Sequence, residues 1–240
     1  MGKFLNRKNE LVFLPKRLSG YVSPDGRVYL TDSGKLFLKR AFDIVFSILF
    51  LVFVMSWLFP LISLLIKLES PGRVLFRQRK HGKGNKEFFC YKFRTRLVNQ
   101  EGDAKLAIND NRLTKLGSFL RRTYLDEVPQ FINVLKGEMS VIGPRPHSVP
   151  MNNYFAEEVD NYRFRHQVKP GITGLAQSKA YVGEIMVFFD IYGRVKLDHF
   201  YIKKWCLILD LKILFWTFKS VFLNKKTEIV VRIPDAHELK

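Results

Sequence analysis

From Ile44 to Ile66 the chain runs for 23 residues without a charged side chain, rich in Leu, Phe, Val and Ile. At about 1.5 Å per residue a helix of that length reaches across the hydrocarbon core of a bilayer, and uncharged runs this long are rare inside soluble proteins. The flanks bear on how such a helix sits. Residues 1–40 carry nine Lys or Arg against three acids, and residues 67–122 carry fifteen against five. Basic residues at both ends leave neither end with a preference for the opposite face of a membrane. Pro60 removes a backbone donor within the run, Ser56 stands one turn earlier, Asp43 lies just before it and Trp57 near its middle. These features favour a re-entrant hairpin over residues 39–67, helix–break–helix with Ser56 and Pro60 at the break, entering one leaflet and returning. A bitopic span and a buried core helix are the competing readings.

Charge is the second constraint. Forty Lys plus Arg against 22 Asp plus Glu give a net charge of +18, which calls for a polyanionic partner: nucleic acid, an anionic membrane surface or phosphate-bearing substrates. The first residues show no apolar run close behind the start, so no secretory signal is expected. Cys90 and Cys206 stand far apart in apolar or aromatic sequence and read as reduced, buried thiols. The five histidines show no ligand spacing and are assigned no metal.

Against this basic background the pair Asp126–Glu127 stands out, in Leu125-Asp126-Glu127-Val128-Pro129-Gln130, with Arg121 and Arg122 before it and Gly143-Pro144-Arg145-Pro146 after it. One reading is helix punctuation, with Asp126 capping a helix through Leu135 and Gly137 just past its end. The other makes one carboxylate a nucleophile and the second a ligand for a divalent cation. Around the pair, Phe88 to Arg94 alternates as a strand, with Cys90, Lys92 and Arg94 on one face. Prolines on both sides of Arg145 fix its place.

The rest of the chain reads as α+β and mainly helical. Residues 1–38 read as an arm with a hairpin; residues 68–223 read as one folded domain with a small β element; the tail 224–240 is polar. A short strand Val74–Phe76 leads to a loop at His81–Lys86, residues 97–112 read as loop or short helix, and Thr114 to Thr123 as helix. Residues 151–168 read as an amphipathic helix, and Lys169-Pro170-Gly171-Ile172-Thr173-Gly174 as a tight turn whose backbone can approach a ligand. Leu197 to Phe222 reads as an interfacial helix, aromatic with Lys203, Lys204, Lys212 and Lys219 between, or as a core helix.

Taken in order, Lys39-Arg40-x-Phe42-Asp43, Ile66-Lys67-Leu68-x-Ser70, Phe76-x-Gln78-Arg79, Lys92-Phe93-Arg94-Thr95, Asp110-x-Arg112-Leu113-Thr114, Leu125 to Gln130, Asn133-Val134-Leu135-Lys136-Gly137, Gly143 to Pro146 and Lys169 to Gly174 resemble the bacterial sugar transferases. These are monotopic phosphoglycosyl transferases that begin glycan assembly on a polyprenyl phosphate. The likeness covers about residues 36–222. It implies that Asp126 attacks the sugar-linked phosphorus of a nucleotide diphosphate sugar, usually a UDP-sugar, and that undecaprenyl phosphate then takes the phosphosugar. It also implies that Glu127 holds magnesium (Mg2+), that Arg121 contacts phosphate, and that Lys92, Arg94 and Arg145 are further phosphate or nucleotide contacts. Location at the bacterial cytoplasmic membrane, catalytic domain on the cytoplasmic face, and no nucleic-acid partner follow from the same resemblance. The chain departs from the pattern at Ser56 and Pro60, which are adjacent in the family, and at Arg96, Tyr124 and Leu175, where methionine, serine and tryptophan are usual. It looks like the small catalytic-core form. A membrane-anchored basic binding protein without chemistry is the rival class, and an enzyme that moves the sugar alone, releasing nucleoside diphosphate, is another.

Overall fold

The computed structural model describes residues 3–5, 11–13, 33–97, 112–179 and 188–222. In the arm, β1 (Lys3–Leu5) and β2 (Leu11–Phe13) pair antiparallel as a hairpin. Most of the loop or short helix expected over residues 97–112, and the polar tail, lie outside the described residues.

The apolar run forms one continuous helical stretch from Ser33 to Glu69. It comprises α1 (Ser33–Phe50), a π-helical turn (Leu51–Met55) and α2 (Ser56–Glu69). At the place where an interruption by Ser56 and Pro60 is expected, the chain widens by one residue in the π-helical turn and stays helical. The widening precedes the proline ring, and the Ser56 N–H reaches back five residues to Leu51 O. Side chains supply further bonds there, from Ser56 Oγ to Val52 O at 2.7 Å and from Trp57 Nε1 to Phe53 O at 3.0 Å.

This helix is inside out. Its buried positions in α1 are Lys39, Asp43 and Ser47, spaced at four residues, while Val45, Leu49, Phe53, Trp57, Leu61 and Leu64 face outward. Such a surface excludes the core-helix reading, because a soluble core buries its apolar side.

Both halves of the helix pack on the same body. Phe46 and Phe50 stack on Phe131, the latter with ring centroids 4.2 Å apart, and Phe59 meets Phe93 at 5.2 Å. That body begins with the antiparallel hairpin of β3 (Leu75–His81) and β4 (Glu87–Phe93), joined by the expected turn. Next come α3 (Lys115–Arg122), capped by the Thr114 hydroxyl, and α4 (Gln130–Lys136), closed by Gly137 at φ 82°. Then β5 (Ser140–Ile142) pairs parallel with β6 (Gly171–Thr173). The turn expected at Lys169–Gly174 is therefore part of this strand pair. Its close approach is chain to chain, since a Cβ on Gly171 would run into the Gly143 backbone.

Between them lie α5 (Val149–Glu158) and a 3-10 turn (Tyr162–Gln167), where one helix over 151–168 was expected. Two further helices, α7 (Phe188–Lys204) and α8 (Leu207–Phe222), follow the short α6 (Leu175–Ser178) and replace the single helix expected from Leu197. The break has a cause: Trp205 turns into the core and its indole N–H donates to Asp210, leaving Cys206 exposed at the corner, against expectation. Phe131, Val134, Ile142, Tyr201, Ile202, Trp205 and Ile213 form the main core between α4, β5, α7 and α8.

Candidate active site

Asp126 and Glu127 do not cap α4. They occupy a 3-10 turn of their own (Leu125–Glu127), and the residue before α4 is Pro129, with no side-chain cap. Tyr124 opens this turn in the left-handed region at φ 59°, a conformation that costs a residue with a Cβ about 1–2 kcal/mol. The turn is then wound tightly, with Glu127 N–H to Tyr124 O at 3.1 Å and Val128 N–H to Leu125 O at 3.3 Å. Both carboxylates end up buried, facing β4.

Strand β4 is fixed against α4 by Asn133, which acts as a substitute strand. Its Oδ1 accepts from Tyr91 N–H at 3.0 Å and its Nδ2 donates to Phe89 O at 2.7 Å. Lys92, next along that strand, therefore stands at a defined height over the acidic turn. Its Nζ lies 2.7 Å from Glu127 Oε1 and 3.8 Å from Asp126 Oδ2. From the other side Arg145 grips Glu127 as a fork, Nη1 to Oε2 at 3.0 Å and Nη2 to Oε1 at 2.6 Å.

The two adjacent carboxylates consequently differ. Glu127 is held by two cations, with Oε1 accepting from both Lys92 and Arg145 and Oε2 from Arg145 alone. Burial pushes its carboxyl up, but Arg145 and Lys92 outweigh that and hold it well below the usual carboxylate range. Asp126 is buried too, yet among the described residues no hydrogen bond reaches its carboxylate. Burial pushes its carboxyl up, Lys92 draws it down, and the neighbouring Glu127 charge adds to the rise, leaving it above the ordinary value. A desolvated carboxylate without donors is a stronger nucleophile than one held in a fork.

Three of the four expected phosphate contacts converge on the pair. Lys92 and Arg145 touch it, and Arg121, held by Thr95 Oγ1 at 2.9 Å, lowers Asp126 through its charge. Gly117 allows that arrangement, because a Cβ there would run into the Thr95 carbonyl. The fourth, Arg94, does not: its guanidinium donates to Pro71 O and Ser70 O, tying the start of the hairpin to the end of α2. The alternation in β4 was sound, but by Arg94 the strand has ended and its side chain serves the chain itself. Ser56 and Pro60 lie in the apolar helix, away from the pair.

Lys80 was missed. It is buried on β3 and donates to Pro146 O at 3.1 Å, within electrostatic reach of Lys92, Arg145 and Glu127. Strand parity could have found it, since Phe76 pairs with Lys92, so that Gln78 and Lys80 share the face of Lys92.

The described residues contain no group of three or more His, Cys, Asp or Glu suited to a metal. The carboxylates available are Glu127, fully ionised, and its neighbour Asp126. That donor set fits magnesium, which commonly takes one or two carboxylates and completes its octahedron with water and substrate phosphates.

Residues 34–224 match the bacterial sugar transferase family. The chain belongs to that family. It is 46% identical over 190 residues to a UDP-glucose:undecaprenyl-phosphate glucose-1-phosphate transferase of Escherichia coli (strain K12), covering 78% of this chain and 41% of that protein. A UDP-N-acetylgalactosamine-undecaprenyl-phosphate N-acetylgalactosaminephosphotransferase of Aeromonas hydrophila is 41% identical over 187 residues, 77% of this chain and 44% of that protein. The exopolysaccharide production protein PSS of Rhizobium leguminosarum bv. phaseoli is 42% identical over 197 residues, 80% of this chain and 98% of that protein. The chain thus spans about two fifths of the first two and matches nearly the whole of the third.

Proposed function

We propose that this chain transfers a sugar-1-phosphate from a UDP-sugar to undecaprenyl phosphate through a covalent intermediate on Asp126. The observation that carries the proposal is the contrast within the acidic pair: one carboxylate buried with no hydrogen-bond donor among the described residues, its neighbour gripped by two cations. An Asp126 oxygen attacks the sugar-bearing phosphorus, the bond from that phosphorus to the bridging oxygen breaks, and uridine monophosphate leaves with the electron pair. An oxygen of undecaprenyl phosphate then attacks the same phosphorus and displaces the carboxylate, giving the diphosphate-linked sugar. Lys92, Arg145 and Arg121 set the positive field that a diphosphate requires as charge builds on the leaving group. Magnesium, held by Glu127 when bound, supplies further charge neutralisation on the diphosphate. This chemistry is the first membrane step in assembling an exopolysaccharide, capsule, O-antigen or glycoprotein glycan.

The lipid acceptor requires the active site to sit at a membrane surface. We infer that the Ser33–Glu69 helix enters one leaflet of the cytoplasmic membrane and that both its ends stay on the cytoplasmic side. Support comes from the two halves packing on one body, at Phe131 and Phe93, and from the outward apolar side chains. On α8, Ile208, Leu211, Phe215 and Phe218 form a second exposed apolar stripe, beside Lys212 and Lys219, suited to lie at the headgroup level.

The test is an assay of membranes with undecaprenyl phosphate, magnesium and a panel of UDP-sugars. Release of uridine monophosphate with at least one sugar is expected; release of uridine diphosphate, or of neither, overturns the proposal. In a Cys206→Ser background, cysteines placed at Leu5 and Val230 should both be labelled from the cytoplasmic side. Labelling from opposite sides would establish a span.

A further inference from the structure

Arg145 lies between two prolines, which narrow its backbone but do not decide where the segment stands relative to Glu127. Two buried cations do that, and neither touches the acidic pair. Arg165, in the 3-10 turn after α5, donates from Nη2 to the Arg145 carbonyl at 2.7 Å and to Asp198 Oδ2 on α7, also at 2.7 Å. Its Nη1 meets Nδ1 of His147, at 2.9 Å, and the Tyr162 hydroxyl, at 3.1 Å. Lys80, on β3, donates to the next carbonyl, that of Pro146, at 3.1 Å. Consecutive carbonyls are thus each held by a buried cation, one from either side of the segment.

The arrangement is costly for a purely structural bond. Lys80 is 7% exposed and has no carboxylate within 4.0 Å among the described residues. A neutral donor would hold a backbone carbonyl with far less desolvation. The groups facing Lys80 are Cys90 and Lys92 from β4, Glu127 from the acidic turn and Arg145 itself. A cation in that place braces the Pro144–Pro146 segment and adds to the field that favours Glu127 as an anion.

We propose that Lys80 and Arg165 are positioning residues, which hold the Arg145–Pro146 backbone so that the Arg145 guanidinium meets Glu127 as a fork. The proposal rests on reading the Glu127–Arg145 pair as part of the active site. Burial lowers Lys80 to about 8, so at neutral pH it still carries the proton it donates.

The experiment uses the full-length protein in detergent and reads how fast phenylglyoxal modifies Arg145, with the exposed Arg79 as internal reference. Pairing with Glu127 raises the Arg145 guanidinium and slows modification, so Glu127→Gln sets the upper limit of the signal. Lys80→Met should raise Arg145 labelling several-fold toward that limit and lower turnover of a UDP-sugar about 100-fold, as a misplaced positioning group does. Lys80→Arg, which keeps a buried donor, should restore both. Arg165→Lys, which loses the guanidinium's bridge between the Arg145 carbonyl and the Asp198 carboxylate, should raise labelling as Lys80→Met does. Wild-type labelling of Arg145 in a folded Lys80→Met or Arg165→Lys protein overturns the proposal, and so does failure of both to fold. A wild-type enzyme that releases no uridine monophosphate would instead refute the transferase reading, while the labelling comparison would still decide the positioning.

Discussion

Two clusters of buried charge organise this molecule, and they are finished differently. At the root of the apolar helix, Lys39 Nζ lies 2.8 Å from Asp210 Oδ2 and 3.6 Å from Asp43 Oδ1. Asp43 also accepts from Ser140 Oγ and Val141 N–H, and Asp210 from the Tyr201 hydroxyl and Trp205 Nε1. This cluster joins α1, β5, α7 and α8, and every charge in it has internal partners. At the acidic pair, by contrast, Lys92, Arg145, Arg121 and Lys80 lie around two carboxylates, and one of those has no hydrogen-bond donor among the described residues. The closed cluster fastens the apolar helix to the domain. The open one carries excess positive charge, which a diphosphate would complete.

If that distinction is right, variants of the two clusters should fail in different ways. The largest effect belongs to Asp126→Asn, which should lower uridine monophosphate release by roughly 10⁴–10⁶-fold without changing the melting temperature, as loss of a nucleophile does. Glu127→Gln comes next: about 10²–10³-fold in turnover, the cost of losing preorganised charge, with the fold retained because Lys92 and Arg145 can turn toward water. Asp210→Asn should do the reverse. Breaking a fully buried pair destabilises by about 3–5 kcal/mol, read by denaturant or thermal unfolding, while turnover per folded molecule stays near wild type. Should Asp210→Asn reduce turnover as deeply as Glu127→Gln, the two clusters would not be separable into fastening and chemistry.

The smallest effect concerns pH. A nucleophilic Asp126 must be deprotonated, so activity falls as pH drops through its raised pKa. Lys92 is the largest influence drawing that carboxyl down, so Lys92→Met should move the acid limb of the residual rate to higher pH. A limb that moves to lower pH would mean that Asp126 is not the group titrating.

The sequence made the acidic pair, Lys92, Arg121 and Arg145 legible because each sits in a stretch whose local pattern exposes it. The uncharged run likewise announced one long apolar helix. What stayed hidden depended on tertiary pairing. Lys80 required the register of β3 against β4, in which Lys80 lies opposite Phe88. Arg94 looked equivalent to Lys92 by alternation until the strand ended and its guanidinium found Ser70 and Pro71. The capping role of Asp126 failed because Tyr124 takes a left-handed conformation, which sequence propensity disfavours, and so sets the pair in a turn separate from α4. Pro60 suggested a break, but the π-helical turn before it absorbed the strain within one helix.

The central claim is that Asp126 itself carries the phosphosugar. It is tested most directly by incubating the enzyme with a UDP-sugar labelled at the sugar-bearing phosphate, with magnesium and without undecaprenyl phosphate, then mapping the label by mass spectrometry. One equivalent of uridine monophosphate should appear in a burst, with the label on the peptide containing Asp126 and absent from Asp126→Asn. Uridine monophosphate release that strictly requires the lipid acceptor, or label on a different residue, would contradict the account.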